Sequence, residues 1–243
     1  MSLLICACIS VAFLSGAIST RIIEQLLVQG GSSTSEATSQ QVDAWIADRK
    51  RDVVIWSQDK IVPKCILDNK EGEQARQEAW KTFNYLVEMY PVFQSINVFN
   101  LEGNVVASNQ LTKVGKNFSD RSYFSEAKAG RVFVSDVYVS RHTGLPFFAI
   151  SAPVWDFNPG TRESRIVAVL DAVVDAKTFE NLYIAPLNTE ESYVFITDKK
   201  RNVLFHPKSS IADQSLSLEK MGIPQLMTAE SGTMIPYTYD EED

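Results

Sequence analysis

Three consecutive stretches decide the fold of this chain: GKNFSDRSYF (residues 115–124), VSDVYVSRHTG (residues 134–144) and PFFAISAP (residues 146–153). The first places the permanently charged Arg121 beside two aromatic rings in a loop. The other two are rich in β-branched and aromatic residues and are joined by a polar turn ending in Gly144, a pattern typical of antiparallel strands. The three stretches together predict a loop that holds something anionic, backed by an antiparallel sheet.

The flanking segments predict further strands preceded by two helices. Ser35 is a candidate cap for a long helix whose apolar residues recur every three to four positions until Pro63, and a second helix should run from Glu73 to Tyr90. Alternating or apolar runs predict strands at 95–100, 105–108, 132–138, 147–154 and 166–174. Five antiparallel strands after two helices make an α+β domain.

The strand pattern starts again on a smaller scale near the end of the chain. Residues 193–197 and 203–206, separated by the polar run DKKRN, repeat the strand, turn and strand of residues 95–108. We therefore expect a second, smaller module. Residues 233–239 are a candidate third strand of that module, but no further strand follows before residue 243, so we expect the module to be truncated and the chain to be part of a longer protein.

Composition excludes several classes of function. The net charge is -7 and no polybasic run is present, which argues against nucleic-acid binding. The two histidines and the isolated Cys65 provide no three-ligand metal site without carboxylates, and no phosphate-loop, serine-hydrolase or zinc-protease motif occurs. We therefore expect no catalytic residues, no metal and no cofactor.

The N-terminus predicts attachment to a membrane. Residues 3–18 carry no charge, and the apolar helical pattern continues past Arg21 to Val28. A cleaved secretory signal is the alternative to an uncleaved membrane helix at residues 1–29. Both alternatives place the rest of the chain outside the cytoplasm. The long helix that follows could form a dimer stalk through its apolar face, or pack on its own sheet.

The binding chemistry rests on six side chains, each with a plainer alternative. Arg121 presents a planar fork that matches a carboxylate, although a salt bridge to Asp120 or Asp136 would also account for it. Tyr123 and Phe124 are candidates for the walls of a pocket, or else for the core. Tyr138 and Ser140 lie on one face of a strand, and each can offer a hydroxyl. Asp171 is a mid-strand carboxylate that needs a cationic or hydrogen-bonding partner if it is buried.

These residues resemble the double Cache (dCache) sensor domain of methyl-accepting chemotaxis receptors. The resemblance is carried by residues 115–124, 134–144 and 152–154, and by Asp171 four residues before Asp175. It implies a long N-terminal helix along two tandem PAS-like modules, here residues 36–185 (membrane-distal) and 186–243 (membrane-proximal). It also implies a homodimeric membrane receptor with an extracytoplasmic ligand site in the distal module.

The resemblance also suggests roles for individual residues. Amino-acid-binding members of the family use an Arg-x-Trp-Tyr loop, an upstream tyrosine, a strand Tyr-x-Asp and a later aspartate. Arg121, Tyr138 and Asp171 match that pattern, whereas Tyr123 and Phe124 replace the Trp and Tyr. Lys116 stands where the upstream tyrosine is expected, and Ser140 replaces the strand aspartate. The ammonium cage is therefore incomplete, and the ligand is either an amino acid or another small organic acid.

The sequence thus predicts a sensor region without enzymatic activity of its own, in a chemotaxis receptor. The same sensor attached to a histidine kinase or a diguanylate cyclase is the alternative, because the output domain would lie beyond residue 243. A secreted hydrolase or adhesion module is disfavoured, since no nucleophile and base can be paired by motif.

Overall fold

The computed structural model describes residues 37–140, 143–158, 163–188, 196–197 and 203–205. One compact unit spans Ala44–Ser215, whereas residues 37–43 are helical and belong to a second unit. The expected membrane segment 1–29, His142, and most of the expected second module lie outside the described residues. Within the described residues, no helix has the length and hydropathy that crossing a bilayer requires.

Two long helices precede the sheet, as predicted. The first, α1, covers residues 37–57 of the described chain. Its Trp45 ring packs against Phe148 and Phe179, with ring centroids 6.4 and 4.8 Å away. It ends before the predicted stop at Pro63, because the side chain of Asp59 accepts the amide of Ile61 at 3.0 Å and so competes with helical bonding. A 3₁₀ turn, Pro63–Ile66, follows.

The second helix, α2, spans Lys70–Met89 and begins where the side chain of Asn69 accepts the amide of Gly72 at 3.0 Å. Its buried residues Ala75, Ala79 and Phe83 recur every fourth position, so one stripe of the helix is apolar and faces β1 and β2. The predicted helix 73–90 is confirmed within three residues.

Six strands form one antiparallel sheet. They are β1 (Phe93–Phe99), β2 (Val105–Ser108), β3 (Phe133–Val134), β4 (Tyr138–Val139), β5 (Pro146–Asn158) and β6 (Glu163–Asp175). Their order is β2-β1-β6-β5-β3, with β4 also pairing with β5. The single strand predicted over 132–138 is wrong: it is two short strands, because the Ser135 hydroxyl accepts the Ala149 amide at 2.9 Å and interrupts the backbone ladder.

A short helix, α3 (Ser122–Lys128), covers one face of the sheet. Its buried Tyr123, Phe124 and Ala127 pack with residues of four strands, namely Phe99, Val105, Ala149 and Val169. The segment beginning at Ser122 was predicted to be a loop; the structure shows a helix with Arg121 at its N-cap position. This helix places the aromatic residues after Arg121 over the sheet rather than in solvent.

Beyond β6, Asp175 caps a four-residue helix, α4 (Ala176–Phe179), by accepting the Thr178 amide at 2.8 Å. Further on, β7 (Ile196–Thr197) pairs antiparallel with β8 (Val203–Phe205), so a strand is present within each of the two expected segments, whereas the polar run between them lies outside the described residues. The boundaries predicted for two modules stay predictions. The α+β class with antiparallel sheets is confirmed.

Candidate functional site

Buried polar side chains form a row across the sheet face that α3 covers. Ser108, Asn97, Asp171 and Ser151 lie on β2, β1, β6 and β5 and are directly opposite one another in the strand register. All four are at most 2% exposed. The Ser108 hydroxyl donates to Asn97 Oδ1 at 2.7 Å, and Ser151 donates to the carbonyl of Tyr123 at 2.8 Å. The sheet therefore presents a row of buried polar side chains beneath α3, and one of them, Ser151, is hydrogen-bonded to the backbone of that helix.

Asp171 carries the charge in this row. Its Oδ1 accepts a 2.7 Å hydrogen bond from Asn97 Nδ2, whereas its Oδ2 is buried and has no hydrogen-bond partner within the described part of the chain. Burial raises the pKa of the Asp171 carboxyl to about 7, although the Asn97 hydrogen bond and the charge of Lys113 oppose the rise. An unpartnered buried carboxylate oxygen is costly unless a ligand or a proton occupies it.

Lys113 reaches the same polar row from the loop after β2. Its ammonium donates to the Ser95 hydroxyl at 2.7 Å, and Asn97 Nδ2 lies 3.3 Å from the same oxygen. Burial lowers the pKa of Lys113, and the charge of Asp171 opposes that shift. One chain of hydrogen bonds thus connects Lys113 with Asp171 through Ser95 and Asn97.

Arg121, at the N-cap position of α3, lies beside two tyrosines. Its Cζ is 5.4 Å from the centre of the Tyr138 ring, and the Tyr123 and Tyr138 rings stack with centroids 6.0 Å apart. Of the two salt bridges considered from the sequence, the one to Asp120 is long: Arg121 Nε is 3.9 Å from Asp120 Oδ1, and the Asp120 side chain is 56% exposed. An exposed ion pair of this kind contributes little, so the guanidinium keeps its capacity to bind an anion.

Electrostatic coupling shows that these groups share one environment. Burial and then the negative charge of Asp171 raise the pKa of both Tyr123 and Tyr138, and the positive charge of Arg121 opposes the rise in each. Both phenols therefore stay protonated at neutral pH and can donate hydrogen bonds. Four of the six predicted residues, Arg121, Tyr123, Tyr138 and Asp171, are brought together.

The other two predicted residues have different surroundings. Phe124 is buried against Phe99, with ring centroids 5.9 Å apart, and the Lys128 ammonium lies 5.8 Å from its ring. The Ser140 hydroxyl accepts the amide of Thr143 at 3.3 Å in the turn before β5. Phe124 thus packs the core beneath α3, and Ser140 shapes a turn.

Sequence reasoning missed Ser95, Asn97 and Lys113. The first two had a signal, since polar residues at alternate positions of an otherwise apolar strand share one face. No sequence signal identified Lys113, because a position between strands does not show which way the side chain points. Among the described residues, no three His, Cys, Asp or Glu side chains are grouped as metal ligands.

The raised pKa of Asp171 predicts a pH-dependent stability that removal of the carboxyl should abolish. Because the folded state holds this proton more tightly than the unfolded state, the free energy of unfolding should fall as pH rises from about 4 to about 7, by at most about 4 kcal/mol. Urea unfolding of the 243-residue chain at pH 5 and pH 8 measures the difference. Asp171→Asn should abolish the difference in unfolding free energy between the two pH values. Asp136→Asn, at an exposed position, should retain that difference. The same difference in the wild-type chain and both variants would contradict the assignment to Asp171.

Comparison with known proteins places this geometry in a family. A family model described as a Cache domain, of the double Cache (dCache) type, matches residues 15–243. Sporulation kinase D of Bacillus subtilis is 36% identical over 80 residues, which make up 32% of this chain and 16% of that kinase. The chain therefore matches only a small part of that relative's length.

Solved structures share the fold at low sequence identity. The sensor domain of the V. cholerae histidine kinase DctB superposes with a TM-score of 0.59 at 19% identity, over 74% of this chain and 66% of that one. The sensory domain of the Campylobacter jejuni chemoreceptor Tlp3, with isoleucine bound, superposes with a TM-score of 0.63 at 11% identity, over 88% and 83%. Because the family model covers nearly the whole sequence, the chain belongs to the double Cache family of extracytoplasmic, ligand-binding sensor domains.

Proposed function

We propose that this chain is the sensor region of a transmembrane chemotaxis receptor and that it binds a small carboxylate-bearing ligand, an amino acid or another organic acid. The observation that supports the proposal is the placement of the Arg121 guanidinium over the Tyr138 ring, beside a sheet whose buried Asp171 has a carboxylate oxygen without a hydrogen-bond partner among the described residues. The cation would hold the ligand carboxylate through two parallel charge-assisted bonds, and Asp171 would pair with a polar group elsewhere on the ligand.

Arg121, Tyr123, Tyr138 and Asp171 would contact the ligand in this proposal. Phe124 would support them from the core, and Ser140 would act through the turn that follows Tyr138. The aromatic side chains lower the local dielectric constant, which strengthens the contact between Arg121 and an anion. This arrangement agrees with the isoleucine bound to the Tlp3 sensory domain, whose fold the chain shares.

Signalling in this proposal is a shift between two states. The ligand favours one position of α3 against the sheet to the extent that it binds that state more tightly. The long helix α1 would pass the displacement to a membrane helix at residues 1–29, in a homodimer with its sensor outside the cytoplasm. No catalytic step is assigned to the sensor region.

A kinase output is the second candidate. It is favoured by the 36% identity to a segment of sporulation kinase D and by the fold shared with the DctB sensor domain. The sensor would then control a histidine kinase, and a diguanylate cyclase is a further alternative. Sequence beyond residue 243 decides among them, since a long heptad-rich hairpin, a kinase core and a cyclase domain have different patterns.

The carboxylate requirement can be tested with acids and their amides. We expect at least one of alanine, lactate, pyruvate or their larger analogues to raise the melting temperature of the purified 243-residue chain, and its amide to have no effect. At 100 times its dissociation constant, a ligand stabilises the folded state by about 2.7 kcal/mol. Equal shifts with acid and amide, or no shift with any acid, would refute the proposed site.

A further inference from the structure

Lys113 adds a second cation to the proposed site, one that the sequence pattern did not indicate. Its ammonium donates to Ser95, which lies two residues before Asn97 on the same face of β1, and Asn97 is directly opposite Asp171 on β6. The ammonium has three donors, and the Ser95 hydroxyl uses one of them. Two donors of the ammonium therefore remain, and its positive charge acts on Asp171, since it opposes the rise in the pKa of that carboxyl.

The fixed charges of this site favour an anion over a zwitterion. Arg121 and Lys113 are cationic and Asp171 is anionic when ionised, so the three side chains sum to one positive charge. A ligand with one carboxylate and no amino group neutralises that charge. An amino acid is neutral overall, and its ammonium group would have to enter beside the Lys113 ammonium, a like-charge contact that costs affinity.

The hydrogen-bonding capacity of the site further restricts the functional group that the ligand can carry beside its carboxylate. Asp171 Oδ2 is a buried acceptor without a partner in the described part of the chain, and Lys113 supplies donors. A hydroxyl group both donates and accepts, so it can satisfy the two side chains together. An ammonium only donates, so it would leave the Lys113 donors unpaired, and a keto oxygen only accepts, so it would leave the ionised Asp171 carboxylate unpaired.

We propose that Lys113 makes this site select a small hydroxy acid over the amino acid of the same carbon skeleton. The ligand hydroxyl accepts a hydrogen bond from Lys113 and donates one to Asp171 Oδ2, while its carboxylate is held by Arg121. This inference rests on the proposed function, and it narrows the ligand from any small carboxylic acid to one class.

Matched triplets of acids test the selection. Isothermal titration of the 243-residue chain with lactate, alanine and pyruvate, and with the corresponding triplet of 2-hydroxyisovalerate, compares hydroxyl, amino and keto groups on one skeleton. In the tightest-binding triplet we expect the hydroxy acid to bind at least about tenfold more tightly than the amino acid. An amino acid that binds as tightly as its hydroxy analogue would overturn the inference while leaving carboxylate binding intact.

Substitution of Lys113 supplies the second readout. Lys113→Met removes the charge at similar length and should lower the preference for the hydroxy acid about tenfold, and Lys113→Arg should retain it. Lys81→Met removes a charge from the exposed face of α2, outside the proposed site, and should leave the preference unchanged. A Lys113→Met protein that folds and keeps the wild-type preference overturns the inference. If no member of any triplet binds the wild-type chain, the proposed function fails as well.

Discussion

Replacement of Arg121 by alanine should weaken binding of the acid ligand about 100-fold, equivalent to about 3 kcal/mol. The Arg121 side chain is 22% exposed, so a carboxylate bound to it is largely removed from water and loses most of the pairing energy when the cation is deleted. Isothermal titration of the wild-type and variant chains with the best acid from the screen gives both dissociation constants.

Arg131 offers a matched control for this substitution. Its side chain is 61% exposed and forms an ion pair with Glu126 of α3. Arg131→Ala removes the same charge and should change acid affinity less than about threefold. If Arg121→Ala binds the acid as tightly as the Arg131 variant does, the carboxylate is held elsewhere and the proposed site is misplaced.

Removal of the Phe99 ring should destabilise the folded chain by about 3–5 kcal/mol. Phe99 is 1% exposed, and its ring lies 6.0, 6.4 and 5.9 Å from the rings of Phe118, Tyr123 and Phe124. Phe99→Ala would leave a cavity between β1 and α3 that the sheet backbone cannot close. Urea unfolding monitored by circular dichroism measures the loss.

Tyr85 provides the comparison on α2. It is 60% exposed, so Tyr85→Ala removes an aromatic ring without opening a cavity and should change the free energy of unfolding by less than about 0.5 kcal/mol. Similar unfolding free energies for the two variants would show that α3 does not rest on Phe99. Because α3 carries Tyr123, we also expect Phe99→Ala to weaken acid binding.

Much of the fold could be predicted because its signals are local. The second helix was placed within three residues by its apolar spacing and by Pro91, and the long strands β5 and β6 by their β-branched runs. The errors occurred where a side chain competes with backbone pairing. Asp59 ends the first helix early, and Ser135 divides one expected strand into two.

The candidate site was predictable in part, for a different reason. Arg121, Tyr123, Tyr138 and Asp171 were singled out by residue type and by the family pattern, and the structure brings them together. It gives Phe124 a place in the core and Ser140 a place in a turn. The role of Ser95 and Asn97 in the site depends on which residues lie opposite each other on neighbouring strands. The hydrogen bond from Asn97 to Asp171, for example, joins residues 74 positions apart in the sequence.

Side-chain chemistry and spacing along the chain are enough to establish the class of this protein, its helices and long strands, and the fixed charge of Arg121. The folded arrangement is needed to show that Asp171 is fully buried, that one of its oxygens has no hydrogen-bond partner in the described segments, and that Lys113 acts on the same carboxyl. This difference arises because desolvation and pairing depend on which strands lie side by side and which way a loop turns, and neither is encoded within a short window of residues.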